Sequence, residues 1–258
     1  MIYYASDLHL EQIPNYNHVL YELKQLHNFA YLDYNKEKDI LILAGDTFII
    51  RWGAIRNQIF DILSDIFKDV YIIIGNHELN WGYDTCLMND GFFKKIRKNV
   101  YLVNNVTINH DGYKIIMTTL FSKIDENPYV QMVINQSISD FKFNTFFNNK
   151  YSINIHNMLF DNSFNYIKNN INGDNIIIAT HFAPTFLLQK DDYKTSNIKS
   201  MFYTELHDFI YDNENIKYWI YGHTHYNKNI VINKTQILSN QLGYYNYINE
   251  DFEFFKHI

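Results

Sequence analysis

"DILILAGD", residues 39–46, holds an unbroken apolar run, Ile40 to Ala44, closed by Gly45 and Asp46. A run of this length without polar alternation describes a strand buried on both faces, as in a parallel sheet covered by helices. The same pattern returns at "IYYAS" (2–6), "VYIIIG" (70–75), "NIIIAT" (175–180) and "YWIYG" (218–222). Helical spacing fills the gaps. Leu20, Leu23, Leu26 and Ala30 share a face in 17–32, and Ile55, Ile59, Ile62, Leu63 and Ile66 share one in 54–67. Segments 157–171 and 199–212 read as helices too. Strand, helix, strand, helix, strand over the first 75 residues predicts right-handed βαβ units and a largely parallel sheet. Further on, "VYLVNNVTI" and "YKIIMTTLF" read as hairpin-like strands joined at "NHDGY", and 228–255 as short strands between Asn-rich turns. No linker or solenoid repeat interrupts the chain, so 1–258 is expected to be one domain, with 122–156 a lid or irregular excursion.

Composition narrows the function. Of 258 residues, 22 are Lys or Arg and 28 are Asp or Glu, a net charge of −6. Only three are arginines (Arg51, Arg56, Arg97), which weighs against long nucleic acid and leaves a small phosphorylated substrate open. Cys86 is the single cysteine, so neither an intramolecular disulfide nor a thiolate metal site can form. Asp7 arrives too early for a signal peptide, and apolar stretches of about five residues fall far short of the ~20 needed to span a bilayer. A soluble, cytoplasmic protein without membrane contact is expected; oligomeric state is unreadable.

Each main apolar run ends in potential metal ligands: Asp7 and His9, then Asp46, then Asn76 and His77, then His181, then His223 and His225. Three of the nine glycines (Gly45, Gly75, Gly222) stand immediately before these polar residues. In open α/β sheets the carboxyl ends of strands line the ligand crevice, so five strands are expected to deliver these groups to one sheet edge. Oxygen and imidazole donors without thiolate suit two divalent cations, Mn²⁺ foremost, with Fe or Zn²⁺ as alternatives. Such pairs share a ligand, for which Asp46 is the candidate. In "GHTH" (222–225), residues i and i+2 project alike on an extended segment, and Gly222 allows a sharp turn, so each imidazole can reach a different metal.

"DLH" (7–9), "GD" (45–46), "GNHE" (75–78), "TH" (180–181) and "GHTH" (222–225) resemble, in order and spacing, the calcineurin-like metallophosphoesterase superfamily. "SDLHLE" (6–11), "TTLFS" (118–122), "THFAPT" (180–185) and "SNQLGYYN" (239–246) are similar to its compact, single-domain phosphohydrolase branch. The resemblance implies an α/β fold of four layers, α/β/β/α, with two mixed sheets flanked by helices. It implies that Asp7, His9 and His225 hold one metal, that Asn76, His181 and His223 hold the other, and that Asp46 bridges. His77 would contact the phosphate and protonate the leaving oxygen. The expected activity is hydrolysis of a phosphomonoester or phosphodiester by a metal-bridging hydroxide. A cyclic-nucleotide or nucleic-acid phosphodiesterase, and a non-catalytic scaffold on the same fold, are the alternatives.

One departure bears on mechanism. Protein phosphatases carry "GDxVDRG" where this chain reads "GDTFIIRWG" (45–53). Ile49 stands in place of the aspartate that partners the catalytic histidine, Ile50 in place of the phosphate-binding arginine, and Arg51 one step late. This argues against a protein phosphatase and leaves His77 without its usual partner. Arg51, Trp81 and Tyr83 are candidate substrate contacts, and loops near 47–57, 80–92 and 122–156 are expected to shape the pocket. Glu78 reads as a helix-start or supporting residue. His18, His27, His110, His156, His207 and His257 are read as non-ligands, and Cys86 as a packing residue.

Overall fold

The computed structural model describes residues 1–12, 35–51, 57–81, 83–88, 91–253 and 256–258. The helix expected over 17–32, with His18 and His27, lies outside the described residues, as does the start of the one expected from 54. The first sheet holds β1 (Ile2–Ala5), β2 (Ile40–Leu43), β3 (Asp69–Ile73), β4 (Phe92–Arg97) and β5 (Val100–Asn104), in the order β1-β2-β3-β5-β4. Only β4 runs antiparallel. The second sheet holds β6 (Val106–His110), β7 (Tyr113–Thr118), β10 (Ile176–Thr180), β11 (Ile216–Tyr221), β12 (Ile230–Ile232) and β13 (Thr235–Ser239). Its core β7, β10, β11 and β13 is parallel, with β6 and β12 antiparallel at the edges.

Strand alternation sorts the apolar residues into layers. Ile2, Tyr4, Ile40, Ile42 and Ile73 pack with Ile115, Met117, Ile177, Ala179 and Ile220, filling the space between the sheets. Their neighbours Tyr3, Leu41, Leu43 and Ile72 turn outward, joining Ile59, Leu63 and Ile66 of α1 (Asn57–Ile66) in a second cluster. Both faces are therefore dry, which is why these runs are continuous. Each buried Ile or Leu contributes about 1.5–3 kcal/mol of transfer free energy, and a polar residue on either face would forfeit it.

Two mixed sheets flanked by helices match the fold that the motifs imply. The expectation of a single sheet edge is corrected: β1, β2 and β3 belong to one sheet, β10 and β11 to the other. The chain crosses between them within "VYLVNNVTI", at Asn105 (φ +53°), so this stretch is two strands in different sheets. Asn104 and Asn105 secure the crossing, each accepting a hydrogen bond from the Thr118 hydroxyl, at 3.2 and 2.7 Å. Apolar periodicity reports burial; it does not say which strand is the neighbour.

After α2 (Asn76–Leu79), the 122–156 region proves regular. It contains α3 (Pro128–Ser137), α4 (Asp140–Phe143) and a small hairpin, β8 (Thr145–Phe146) with β9 (Asn149–Lys150). Asn127 caps α3 by accepting the Tyr129 N–H, and Pro128 starts the helix where no N–H donor is needed. Then α5 (Ile153–Asn170) covers the second sheet beside β7. The helix expected over 199–212 is interrupted: a short 3₁₀ turn at Lys199–Met201 precedes α6 (His207–Asp212). Between them Thr204 and Leu206 donate backbone hydrogen bonds to Ala183 and Pro184, an extended pairing that competes with helix. No helix among the described residues is long and apolar enough to cross a membrane.

Candidate metal centre

Asp7, His9, Asp46, Asn76, His181 and His223 are buried where the two sheets meet, with His225 less so. Ligand atoms of Asp7, His9, Asp46 and His225 lie within 4.8 Å of one another, as do those of Asp46, His181 and His223. Asp46 belongs to both groups. Asn76 Oδ1 lies 3.0 Å from His181 Nε2, which places it with the second group. The structure thus brings together all seven residues expected to ligate metal.

The backbone there is unusual. Asp7 (φ +55°), His9 (+42°), Asp46 (+51°), His223 (+71°) and His225 (+49°) all adopt left-handed conformations. Such conformations cost of order 1 kcal/mol or more and persist where the surroundings over-determine them. The extended reading of "GHTH" is corrected here. Its two histidines occupy a tight turn, and their rings diverge. His223 lies against Phe182 and Phe202, His225 against His9 and Tyr244. Gly222 serves close approach rather than turning: a Cβ there would stand 2.6 Å from Asp7 Oδ2 and 2.9 Å from the Ala44 carbonyl oxygen. At Gly75 a Cβ would stand 2.5 Å from the Asp46 backbone nitrogen.

Supporting contacts aim the donors. Glu78 accepts N–H bonds from Asp46 (2.9 Å), Thr47 (2.6 Å), Phe48 (3.2 Å) and Gly75 (2.8 Å), joining the loops after β2 and β3. His181 Nδ1 lies 2.9 Å from the Ala44 carbonyl oxygen, so its N–H points there and Nε2 faces the cluster. Asp140 accepts from Asn76 Nδ2 at 3.2 Å, which turns the amide oxygen inward. Gln241 Oε1 accepts the His225 N–H at 2.7 Å. Gln241 lies within "SNQLGYYN", quoted above only as a resemblance; for Asp140 no sequence signal existed.

Burial works against the charge on Asp46, yet His181 and His77 beside it hold its carboxyl well below the usual range. Burial likewise opposes the imidazoliums, but the Asp46 carboxylate prevails, raising His77 to about 10 and His181 to about 9. His223 is pushed well below the usual histidine range by burial and then by His181. The Asp46 carboxylate thus favours a proton on His181, whose Nε2 would otherwise be a ligand, and one on His77; divalent cations would take over that compensation. Two further observations fit cations. His223 Nε2 is buried without a hydrogen-bond partner. His9 Nε2 and His225 Nε2 lie 2.9 Å apart; nitrogens about 2.1 Å from one cation, near right angles, stand about 3 Å apart.

The metal-site residues floor a cleft of about 540 Å³. Asp46, Asn76, His77, His223 and His225 form its base; Ser137 to Asp140 make one wall, and residues between Gln189 and Tyr203 another, with Tyr244 beside His225. The 189–203 wall was not anticipated, and the described residues of 47–57 and 80–92 do not line the cleft. Arg51 is exposed and donates to the Trp81 carbonyl at 2.9 Å, and neither Arg51, Trp81 nor Tyr83 lines the cleft. Lys199 is the only Lys or Arg among the lining residues described. Of the other histidines described, His156 is a core residue bonded to Ser122 and Tyr151, and none of them falls in a candidate metal group.

A model of the calcineurin-like phosphoesterase family matches residues 1–227, and the chain belongs to that family of metal-dependent phosphoesterases. It is 30% identical over 268 residues to "uncharacterized protein L509" of Acanthamoeba polyphaga mimivirus, covering 93% of this chain and 90% of that one. The crystal structure of phosphopantetheinyl hydrolase from Mycobacterium tuberculosis superposes with a TM-score of 0.62 at 16% identity, covering 95% of this chain and 90% of that chain. That likeness is one of fold.

Proposed function

We propose that this protein is a dinuclear metal-dependent phosphoesterase that hydrolyses a small phosphomonoester or phosphodiester. The observation that carries the reading is that two ligand groups, drawn from two sheets, share Asp46. Asp7, His9 and His225 would complete one ion's set, and Asn76, His181 and His223 the other's. Manganese suits this oxygen and imidazole inventory, with iron or zinc as alternatives. Two such ions supply charge neutralisation at phosphorus and a water acidified towards neutrality.

The chain's own groups do the rest. The cleft orients the ester over its floor, and its low content of basic residues favours a compact substrate over long nucleic acid. His77 is tied to the metal-site floor by its backbone N–H, which donates to Asp46 Oδ1 at 2.8 Å. Its ring lines the cleft and is placed to give a proton to the departing oxygen. The test is hydrolysis of p-nitrophenyl phosphate and bis(p-nitrophenyl) phosphate by chelated protein reconstituted with Mn²⁺. Metal-dependent turnover is expected, and the preferred compound separates monoesterase from diesterase. Failure to bind two metals per chain would overturn the reading.

A further inference from the structure

Glu11 closes the sequence "SDLHLE"; it stands outside the seven ligand residues above, but its carboxylate groups with His9 and His77 within 4.8 Å. Its side chain is 4% exposed, an expensive place for a carboxylate unless hydrogen bonds compensate. The compensation falls on one oxygen and comes from two histidines at once: Glu11 Oε1 lies 3.1 Å from His9 Nδ1 and 3.1 Å from His77 Nδ1, while Oε2 is buried without a hydrogen-bond partner. A carboxylate only accepts, so both rings turn an Nδ1–H towards it. That leaves His9 Nε2 directed at His225 and the metal group, and His77 Nε2 as the nitrogen available to the cleft.

We propose that Glu11 is a positioning residue that, through a single oxygen, fixes the tautomer and ring orientation of a metal ligand, His9, and the ring orientation of the proton donor, His77. The inference rests on the hydrolase reading for the role of His77, but its geometry stands alone. It supplies from the loop after β1 the carboxylate that is missing at Ile49, which is buried. The physical reason one residue can serve both rings is their proximity: the centroids of His9 and His77 are 4.5 Å apart, edge to face.

The test compares wild type with Glu11→Gln, folding being checked by thermal melting. Mn²⁺ affinity of the chelated protein is measured by calorimetry, and kcat on phenyl phosphate and p-nitrophenyl phosphate by steady-state kinetics. Glu11→Gln is expected to weaken Mn²⁺ binding 10- to 100-fold, as losing a second hydrogen-bonded layer around a metal ligand does. It is also expected to lower the phenyl to p-nitrophenyl rate ratio roughly tenfold, because the poorer leaving group needs the His77 proton more. A merely structural lesion would depress both esters alike. Unchanged affinity and an unchanged ratio would overturn the proposal. Weakened metal with an unchanged ratio would confine Glu11 to His9 and overturn the shared clamp. If wild type hydrolyses neither ester, the hydrolase reading falls, and unchanged Mn²⁺ affinity in Glu11→Gln would still overturn the clamp.

Discussion

Asp46 and Ile198 line the same cleft, yet they are held there in different ways. Asp46 follows a strand buried on both faces, in a left-handed backbone position locked by the Glu78 carboxylate and by the close approach of Gly75. Ile198 precedes a short 3₁₀ turn in the long excursion between β10 and β11. The floor takes its precision from the rigid sheets, and strain there can be tolerated because many contacts agree on it. The walls are hung on that frame by a few contacts, such as Ser122 Oγ donating to the Met201 carbonyl at 2.9 Å. On the proposed reading, chemistry belongs to the frame and selectivity to what is attached to it.

The sharpest way to break this comparison is at the floor. Asp46→Asn, which keeps the shape but removes the shared charge, is expected to lower kcat on p-nitrophenyl phosphate at least a hundredfold. Its melting temperature in the metal-free state should fall by several degrees, since His181 and His77 lose the carboxylate that balances their charge. A loss of folding there would mean that the floor is structural first. Next in size, Mn²⁺ at a hundred times its dissociation constant should stabilise the chelated protein by about 2.7 kcal/mol for each site filled, read as a rise in melting temperature.

The foundation of the walls responds to acid instead. His156 is buried and held neutral, its pKa lowered to about 3 by burial, with Nε2 accepting the Ser122 N–H. The unfolded chain, with an ordinary histidine pKa near 6.5, binds the proton first, so stability is complete above that pH and falls as pH drops towards 3. Between pH 7 and pH 5 this histidine alone should cost about 2 kcal/mol in denaturant titrations, and His156→Gln should flatten that slope. At the wall itself, Tyr193→Ala is expected to change KM by several-fold, about 1 kcal/mol, with metal content unchanged. The smallest effect belongs to Arg51→Ala, for which kcat and KM should stay within about twofold of wild type; a larger change would bring the loop after β2 back into the substrate site.

Much of the floor was readable because its signals are local. An apolar run closing in Gly-Asp, Gly-Asn-His or Gly-His-Thr-His names both the strand and the donors at its end. The reading failed where the answer depends on pairing. "VYLVNNVTI" looks like one strand, and only the left-handed turn at Asn105 sends its halves into separate sheets. "GHTH" looked extended, yet Asp7 accepting the His223 N–H at about 3.0 Å and Gln241 accepting that of His225 curl it into a turn. Asp140, meeting Asn76 from 64 positions away, left no trace a linear reading could use.

The amino-acid order alone determined the dry strands, the candidate donors and the family, because burial and ligand chemistry are properties of short segments. Which sheet each strand joins, which carboxylate serves His77, and which residues wall the cleft were decided only in three dimensions. Those choices turn on contacts between distant segments, whose energies exist only once the two sheets have closed on each other.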